Sequence, residues 1–333
     1  MNVRGFRAVC AAALMLLACR TAGAAGFQLV SVPDGTGKPI ALAIWYPSDA
    51  PATWQPLELF RQEVAFGADI AGARLPLVVI SHGTGGSYAG HHDTALALAK
   101  AGFVVAALAH PGDNWRDRGD SFTLRNFTER PRHLRAVIGY LLTAWPGREQ
   151  LDPDRIGAFG HSAGGFTVLV ATGGVPDMAR AAALCREQPQ DWGCQRARER
   201  PAGAATSPAA APEWLHDGRL KAVVVAAPAL GNTFAGDALA RVAVPVQLWQ
   251  AADDRITPRE WNGDIVKAAL PAAPDDHLVQ AAGHFSFLAP CSVALQERAS
   301  EICRDNPGFD RAAFHESFNA AIVTFFTKTL AAH

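Results

Sequence analysis

The sequence predicts an α/β protein: a mostly parallel, eight-stranded sheet flanked by helices, with a lid-like insertion. Three observations carry this. Short apolar runs rich in β-branched residues alternate with longer helical patterns, the order that crossover-connected parallel strands produce. Two of those runs end in glycine-rich turns, at Gly83–Gly86 and Gly160–Gly165. Of the 333 residues, 49% are hydrophobic and 18% charged, which fits an ordinary globular chain and excludes disordered and collagen-like classes.

The strand candidates are Phe27 to Val32, Ile40 to Tyr46, Leu75 to Ser81, Phe103 to Ala109, Arg155 to Phe159, Leu220 to Ala226, Val244 to Gln250 and His277 to Ala281. Helical patterns fall near Gly90 to Ala101, Thr128 to Leu142, Ala163 to Thr172, Pro258 to Ala269 and Arg311 to Leu330. The first two strands are joined by the turn-rich Asp34-Gly35-Thr36-Gly37 and read as a hairpin before the parallel section. Between about residues 174 and 217 periodicity is lost, and the segment ends in an Ala/Pro-rich run from Pro201 to Pro212. Long segments of this kind inside a compact domain are often lids or linkers.

The N-terminus has a basic stretch with Arg4 and Arg7, an apolar run from Ala8 to Ala18, and the small residues Ala22-Gly23-Ala24. This is the form of a signal peptide cleaved after Ala24, leaving residues 25–333 as an exported, periplasmic or secreted domain. Leu16-Leu17-Ala18-Cys19 is a rival signal, in which Cys19 would carry a lipid. No later run has the roughly 20 apolar residues a membrane helix needs. Loss of the leader takes away Arg4, Arg7 and Arg20 and moves the net charge from −1 by three to −4. Neither value, and no basic stripe, supports a nucleic-acid partner; a small-molecule substrate fits better.

Cys185, Cys194, Cys291 and Cys303 remain beyond the leader, an even number that points to disulfides in an exported chain. Three connectivities are open, with the local pairs favoured because each brackets a short polar segment. No Cys-x-x-Cys or Cys/His zinc spacing occurs, and no metal or cofactor is expected. His91-His92-Asp93 looks like a ligand cluster, but neighbouring helical residues point apart, so a solvated face is expected instead.

The chemistry is concentrated in Gly160-His161-Ser162-Ala163-Gly164, which follows a strand and opens a helix. This is the context of a nucleophile elbow, where a sharp turn presents the serine hydroxyl. A serine needs a base to take its proton during attack. His284 follows the last strand candidate, and the chain order Ser, Asp, His matches a catalytic triad. The orienting carboxylate is Asp254 or, alternatively, Asp253, both leaving the strand Val244 to Gln250. Backbone N–H groups of Thr84 and Ala163 are the oxyanion-hole candidates. Phe285, Phe287, Trp192 and Trp214 are candidates for the walls of an acyl pocket, and His110 either lines the site or shapes its turn.

The His82-Gly83-Thr84-Gly85-Gly86 loop, the strand entry Gly102-Phe103-Val104-Val105-Ala106 and His110-Pro111-Gly112-Asp113 resemble α/β-hydrolases of the dienelactone-hydrolase-like group and relatives of platelet-activating-factor acetylhydrolase. The resemblance implies the α/β-hydrolase fold, a Ser/Asp/His triad, no metal, and small or short-acyl ester substrates. Dienelactone hydrolases proper use a cysteine where this chain has Ser162, so that label says little about substrate. The expected activity is that of a serine esterase with an optimum at roughly two to six acyl carbons. Amide, thioester or lactone cleavage by the same triad, and a non-catalytic binding protein, are the alternatives.

Overall fold

The computed structural model describes residues 24–35, 38–199 and 212–332. The leader with Cys10 and Cys19, and nearly all of Pro201 to Pro212, lie outside the described residues. In chain order the described residues form β1 (Ala24–Val32), β2 (Ile40–Ser48), β3 (Thr53–Leu57), β4 (Phe60–Phe66), β5 (Leu75–Ser81), α1 (His92–Lys100), β6 (Val104–Ala109), α2 (Leu124–Thr143), β7 (Leu151–His161), α3 (Ala163–Ala171), α4 (Met178–Glu187), α5 (Trp192–Arg198), β8 (Leu220–Ala226), β9 (Val246–Ala251), α6 (Gly263–Ala269), β10 (Asp275–Val279), α7 (Val293–Arg298) and α8 (Arg311–Thr329). The ten strands make one sheet in the order β10-β9-β8-β7-β5-β6-β2-β1-β4-β3. From β6 through β10 every pairing is parallel, while β2 runs antiparallel to both β1 and β6.

The sheet is thus two strands wider than the eight expected. β3 and β4 form an antiparallel hairpin whose two-residue turn, Glu58-Leu59, has Glu58 at φ 52° with no Gly or Asn to announce it. Pro56 lies within β3, where a proline argues against a strand. It is accommodated because β3 is the outermost strand.

All seven residues of β5 are buried, as expected for a strand covered on both faces. Its side chains alternate between two cores. Leu77 and Val79 pack with Leu134, Val137, Ile138 and Leu141 of α2 and Phe166 of α3. Val78 and Ile80 face Ala95, Leu98 and Ala99 of α1 and Phe318, Ile322 and Phe326 of α8. Period two in the strand and period 3.6 in the helices therefore close a helix-sheet-helix sandwich.

The described part of the insertion is more ordered than its sequence suggests. It contains α4 and α5, each capped by an aspartate: Asp177 Oδ1 accepts from Ala179 N and Asp191 Oδ1 from Cys194 N. The helix expected from Pro258 to Ala269 is a short 3-10 turn followed by α6, and α2 begins at Leu124, four residues earlier than Thr128. No helix among the described residues is long and apolar enough to cross a membrane.

Both local cysteine pairs are bonded, Cys185–Cys194 with Cα atoms 5.3 Å apart and Cys291–Cys303 at 5.8 Å. A chain that has lost its leader is expected to show no free thiol when titrated in denaturant without reductant, and a chain retaining Cys10 and Cys19 to show two. Four thiols in the shorter chain would overturn the pairing.

Candidate active site

Four loops meet at the carboxyl ends of β5, β7, β9 and β10, where open α/β sheets place their ligand sites. At the end of β7 the chain turns directly into α3. The turn is tight: a Cβ on Gly160 would come within 2.1 Å of the Gly164 carbonyl, and one on Gly164 within 1.8 Å of the Ser81 carbonyl. Only glycine fits either position. Ser162, between them, has φ 57° and ψ −119°, a region costing a non-glycine residue about 1–3 kcal/mol. Its amide is tied to the Ala226 carbonyl at 2.9 Å, and its own carbonyl accepts from Phe166 and Ala229. The strain is therefore held by β8 on one side and α3 on the other.

Of the two aspartates after β9, Asp254 is the one that reaches the histidine: its Oδ2 lies 2.8 Å from His284 Nδ1. Both side chains are almost wholly buried. Asp254 Oδ1 accepts from the Ile256 and Thr257 amides at 2.8 Å each, and Oδ2 also accepts from Thr257 Oγ1 at 2.9 Å. Burial by itself would raise the Asp254 pKa. The His284 charge, the bond to its ring and the two amides outweigh burial and hold the carboxyl below its ordinary range. Asp253 is exposed and accepts from Asn306 instead.

His284 begins a short 3-10 turn, and its carbonyl accepts from His161 Nε2 at 3.2 Å. Its loop is tied to the acid loop by the bond from Asp253 N to the Ala282 carbonyl. Burial, reinforced by the His284 charge, drives the His161 pKa far below its usual value, so this second imidazole is neutral.

The loop after β5 passes directly over the serine. A Cβ on Gly83 would lie 3.1 Å from Ser162 Cβ. Thr84 and Ser162 both border an apolar cavity of about 270 Å³. Among the described residues no acceptor takes the N–H of Thr84 or of Ala163, the first residue of α3. Two free amides beside the serine, one at the positive end of a helix, suit a developing oxyanion.

A buried ion pair holds this loop, and the sequence did not reveal it. Arg130 of α2 is fully buried; it donates to Asp113 Oδ2 at 2.7 Å, to Thr167 Oγ1 of α3 at 3.1 Å and to the His82 carbonyl. Asp113 Oδ1 accepts from the Gly85 amide at 3.0 Å. One salt bridge thus fastens both ends of the candidate oxyanion loop and the elbow helix. His110 belongs to the same network, through Ser81 Oγ at 2.9 Å. The His110-Pro111-Gly112-Asp113 segment was the only available signal for it, since nothing marks Arg130 among 30 basic residues.

The remaining expected wall residues divide. Trp192 borders the cavity and meets Phe122 edge-on with centroids 5.7 Å apart. Trp214 packs on Phe166 instead and is outside the lining. Phe287 is fully buried among Phe314 and Phe318 of α8, so it is core and no wall. Phe285 lines a separate cleft of about 210 Å³ with His284 and Arg304. His91 is buried against Phe159 and His161, contrary to the solvated face expected of it, and burial lowers its pKa to about 4. His277, in the middle of β10, which begins at Asp275, stacks on Trp249. No cluster of three or more His, Cys, Asp or Glu able to hold a metal ion occurs among the described residues.

No family model matches the chain, and no curated protein sequence matches it. Among solved structures it is similar to a ferulic acid esterase from Streptomyces cinnamoneus, with a TM-score of 0.60 and 20% identity, over 92% of this chain and 89% of that one. The chain has the α/β-hydrolase fold. In that fold the carboxyl edge of the sheet carries the elbow after one strand and the partner loops after later ones, the order in which Ser162, Asp254 and His284 occur here.

Proposed function

We propose that the protein hydrolyses carboxylic esters of small molecules through an acyl-enzyme on Ser162. The observation that carries this is the strained elbow serine on a sheet edge whose adjoining loops hold a buried, hydrogen-bonded Asp254–His284 pair. The structural neighbour's activity on an ester favours that bond over amides, thioesters or lactones.

In this reading His284 Nε2 takes the Ser162 hydroxyl proton as Oγ bonds to the ester carbonyl carbon. The Thr84 and Ala163 amides hold the resulting oxyanion. Collapse breaks the bond to the alcohol, which leaves with the proton returned from His284. Water then repeats the sequence: it loses a proton to His284, attacks the acyl carbon and releases the acid and free Ser162. Asp254 stays ionised throughout, keeping the Nδ1 proton in place and stabilising the imidazolium. The two disulfides fit an oxidising compartment and so an exported enzyme.

The test is covalent labelling. A fluorophosphonate is expected to add one phosphonyl group, located on Ser162 by peptide mass mapping, and to abolish turnover of p-nitrophenyl esters in proportion. Label on another residue, or turnover surviving full labelling, would overturn the proposal.

A further inference from the structure

Two spaces open beside the candidate triad and share one wall residue, Ile256. The first, bordered by Ser162, is walled mainly by apolar side chains. The second, bordered by His284, is the cleft of about 210 Å³, and its lining differs: Phe285 and Ile256 are apolar walls, while Arg255, Arg304, Asp253 and Asn306 are polar ones. Phe285 is half-buried and stands edge-on to the His284 ring, with centroids 5.4 Å apart. In acyl transfer by a triad the histidine returns its proton to the departing alcohol, so the alcohol half of the ester lies on the histidine's side of the bond that breaks. The second cleft is placed to take that half.

The two arginines are held on fixed backbone and left unpaired. Arg304 follows Cys303, whose disulfide to Cys291 anchors the loop. Asp305 accepts from Ser286 Oγ at 3.0 Å and from Arg311, and Asn306 Nδ2 donates to the Ala281 carbonyl and to Asp253 Oδ2. Arg255 sits inside the Asp254 turn, where Asp254 Oδ1 accepts from the Ile256 amide. Both guanidinium groups are nevertheless exposed, and neither has a hydrogen-bond or ion-pair partner among the described residues. The neighbouring acids are engaged elsewhere, Asp254 with His284 and Asp305 with Arg311, so Asp253 is the one carboxylate bordering the cleft. Two cations against one anion leave it positive by a single charge, the complement of a monoanion, and the planar fork of a guanidinium matches a carboxylate.

Resting on the ester-hydrolase reading, we propose that this cleft is the alcohol subsite, and that the alcohol half of the substrate carries a carboxylate held by Arg255 and Arg304, with its apolar part against Phe285 and Ile256. The acyl–oxygen bond breaks, the alcohol oxygen takes its proton from His284, and the alcohol departs as a hydroxy acid whose carboxylate is untouched. Water then releases the acyl group from Ser162 as a second acid.

The experiment compares the acetate esters of 4-nitrophenol, 3-carboxy-4-nitrophenol and 3-(trimethylammonio)phenol, alongside fluorophosphonate labelling. Each kcat/KM is divided by the ester's hydroxide-hydrolysis rate, which removes differences in leaving-group reactivity. The carboxylated ester is expected to exceed the neutral one by about tenfold at low salt, and the cationic ester to fall below it. Because both guanidinium groups are exposed, the preference should shrink to about threefold or less in roughly 0.5 M NaCl. Arg255→Gln and Arg304→Gln should each lower the carboxylate-to-neutral ratio, and the double variant should bring it close to one. Should the double variant fail to label, the single variants and the salt series of the native enzyme decide in the same way. Labelled enzyme that treats the three esters alike, or keeps its carboxylate preference without the arginines, overturns this proposal alone. Enzyme that neither labels nor turns over any of the three overturns the ester reading with it.

Discussion

Ser162→Ala is expected to lower kcat on p-nitrophenyl esters by about 10⁴ to 10⁶. On the proposed mechanism the acyl-enzyme cannot form without Oγ, and only the residual effect of bound substrate facing the Thr84 and Ala163 amides would remain. The fold should be unaffected. Alanine keeps a Cβ, so the backbone cost at φ 57° is unchanged, and the anchoring bonds to Ala226, Phe166 and Ala229 all use the main chain. Stopped-flow or steady-state assays, paired with circular dichroism and melting temperature, separate the two effects. Near-normal turnover by the folded variant would rule out Ser162 as nucleophile.

Asp254→Asn is expected to reduce kcat by about 10⁴, with KM little changed. The physical reason lies in the bonding around the carboxylate. Asp254 Oδ1 already accepts two amide hydrogens, so an asparagine must place its carbonyl there and turn its NH₂ towards His284 Nδ1. That forces the imidazole proton onto Nε2, the atom that has to be basic in the proposed mechanism. Asp253→Asn is the control: its exposed side chain accepts from Asn306 and makes no contact with His284, and its main-chain bond to Ala282 is kept, so an effect of about twofold or less is expected. A large loss from Asp253→Asn with none from Asp254→Asn would reverse the assignment.

What the sequence revealed follows from how local each signal is. β5 and β7 were legible because strands covered on both faces are continuous apolar runs, and the elbow because the contact that requires Gly160, with the Gly164 carbonyl, is local, even though Gly164 itself is required by Ser81 of β5. The sequence put Asp254 ahead of Asp253 but kept the latter as an alternative, because the choice depends on which carboxylate the loop turns towards His284, thirty residues on. β3 and β4 were missed since Pro56 and the glycine-free turn at Glu58 both contradict a hairpin, and only the position at the sheet's end makes them acceptable. The role of Arg130 was invisible for a different reason. A guanidinium buried against Asp113 has the same letter as one in solvent, and no periodicity distinguishes a helix face that holds a polar network from one that meets water. Phe287 was misplaced because neighbours in sequence to His284 need not share its surroundings; α8, which returns over the loop, claims that ring for the core.

The strand order has a consequence for how the molecule comes into being. β5 lies between β6 and β7, and its partner on the β7 side, Ile156 against Leu77, is far along the chain. Closing such distant pairings costs loop entropy before any contact repays it, so assembly of the sheet is slow compared with that of a helical bundle of equal stability. The loops that bear Thr84, Ser162, Asp254 and His284 hang from four different strands of this sheet and lie far apart in sequence, so no single strand-helix-strand unit contains them all. On the proposed function the site is complete only when β5 to β10 have all docked, so the nascent chain is expected to be inert until its C-terminal third has joined the rest.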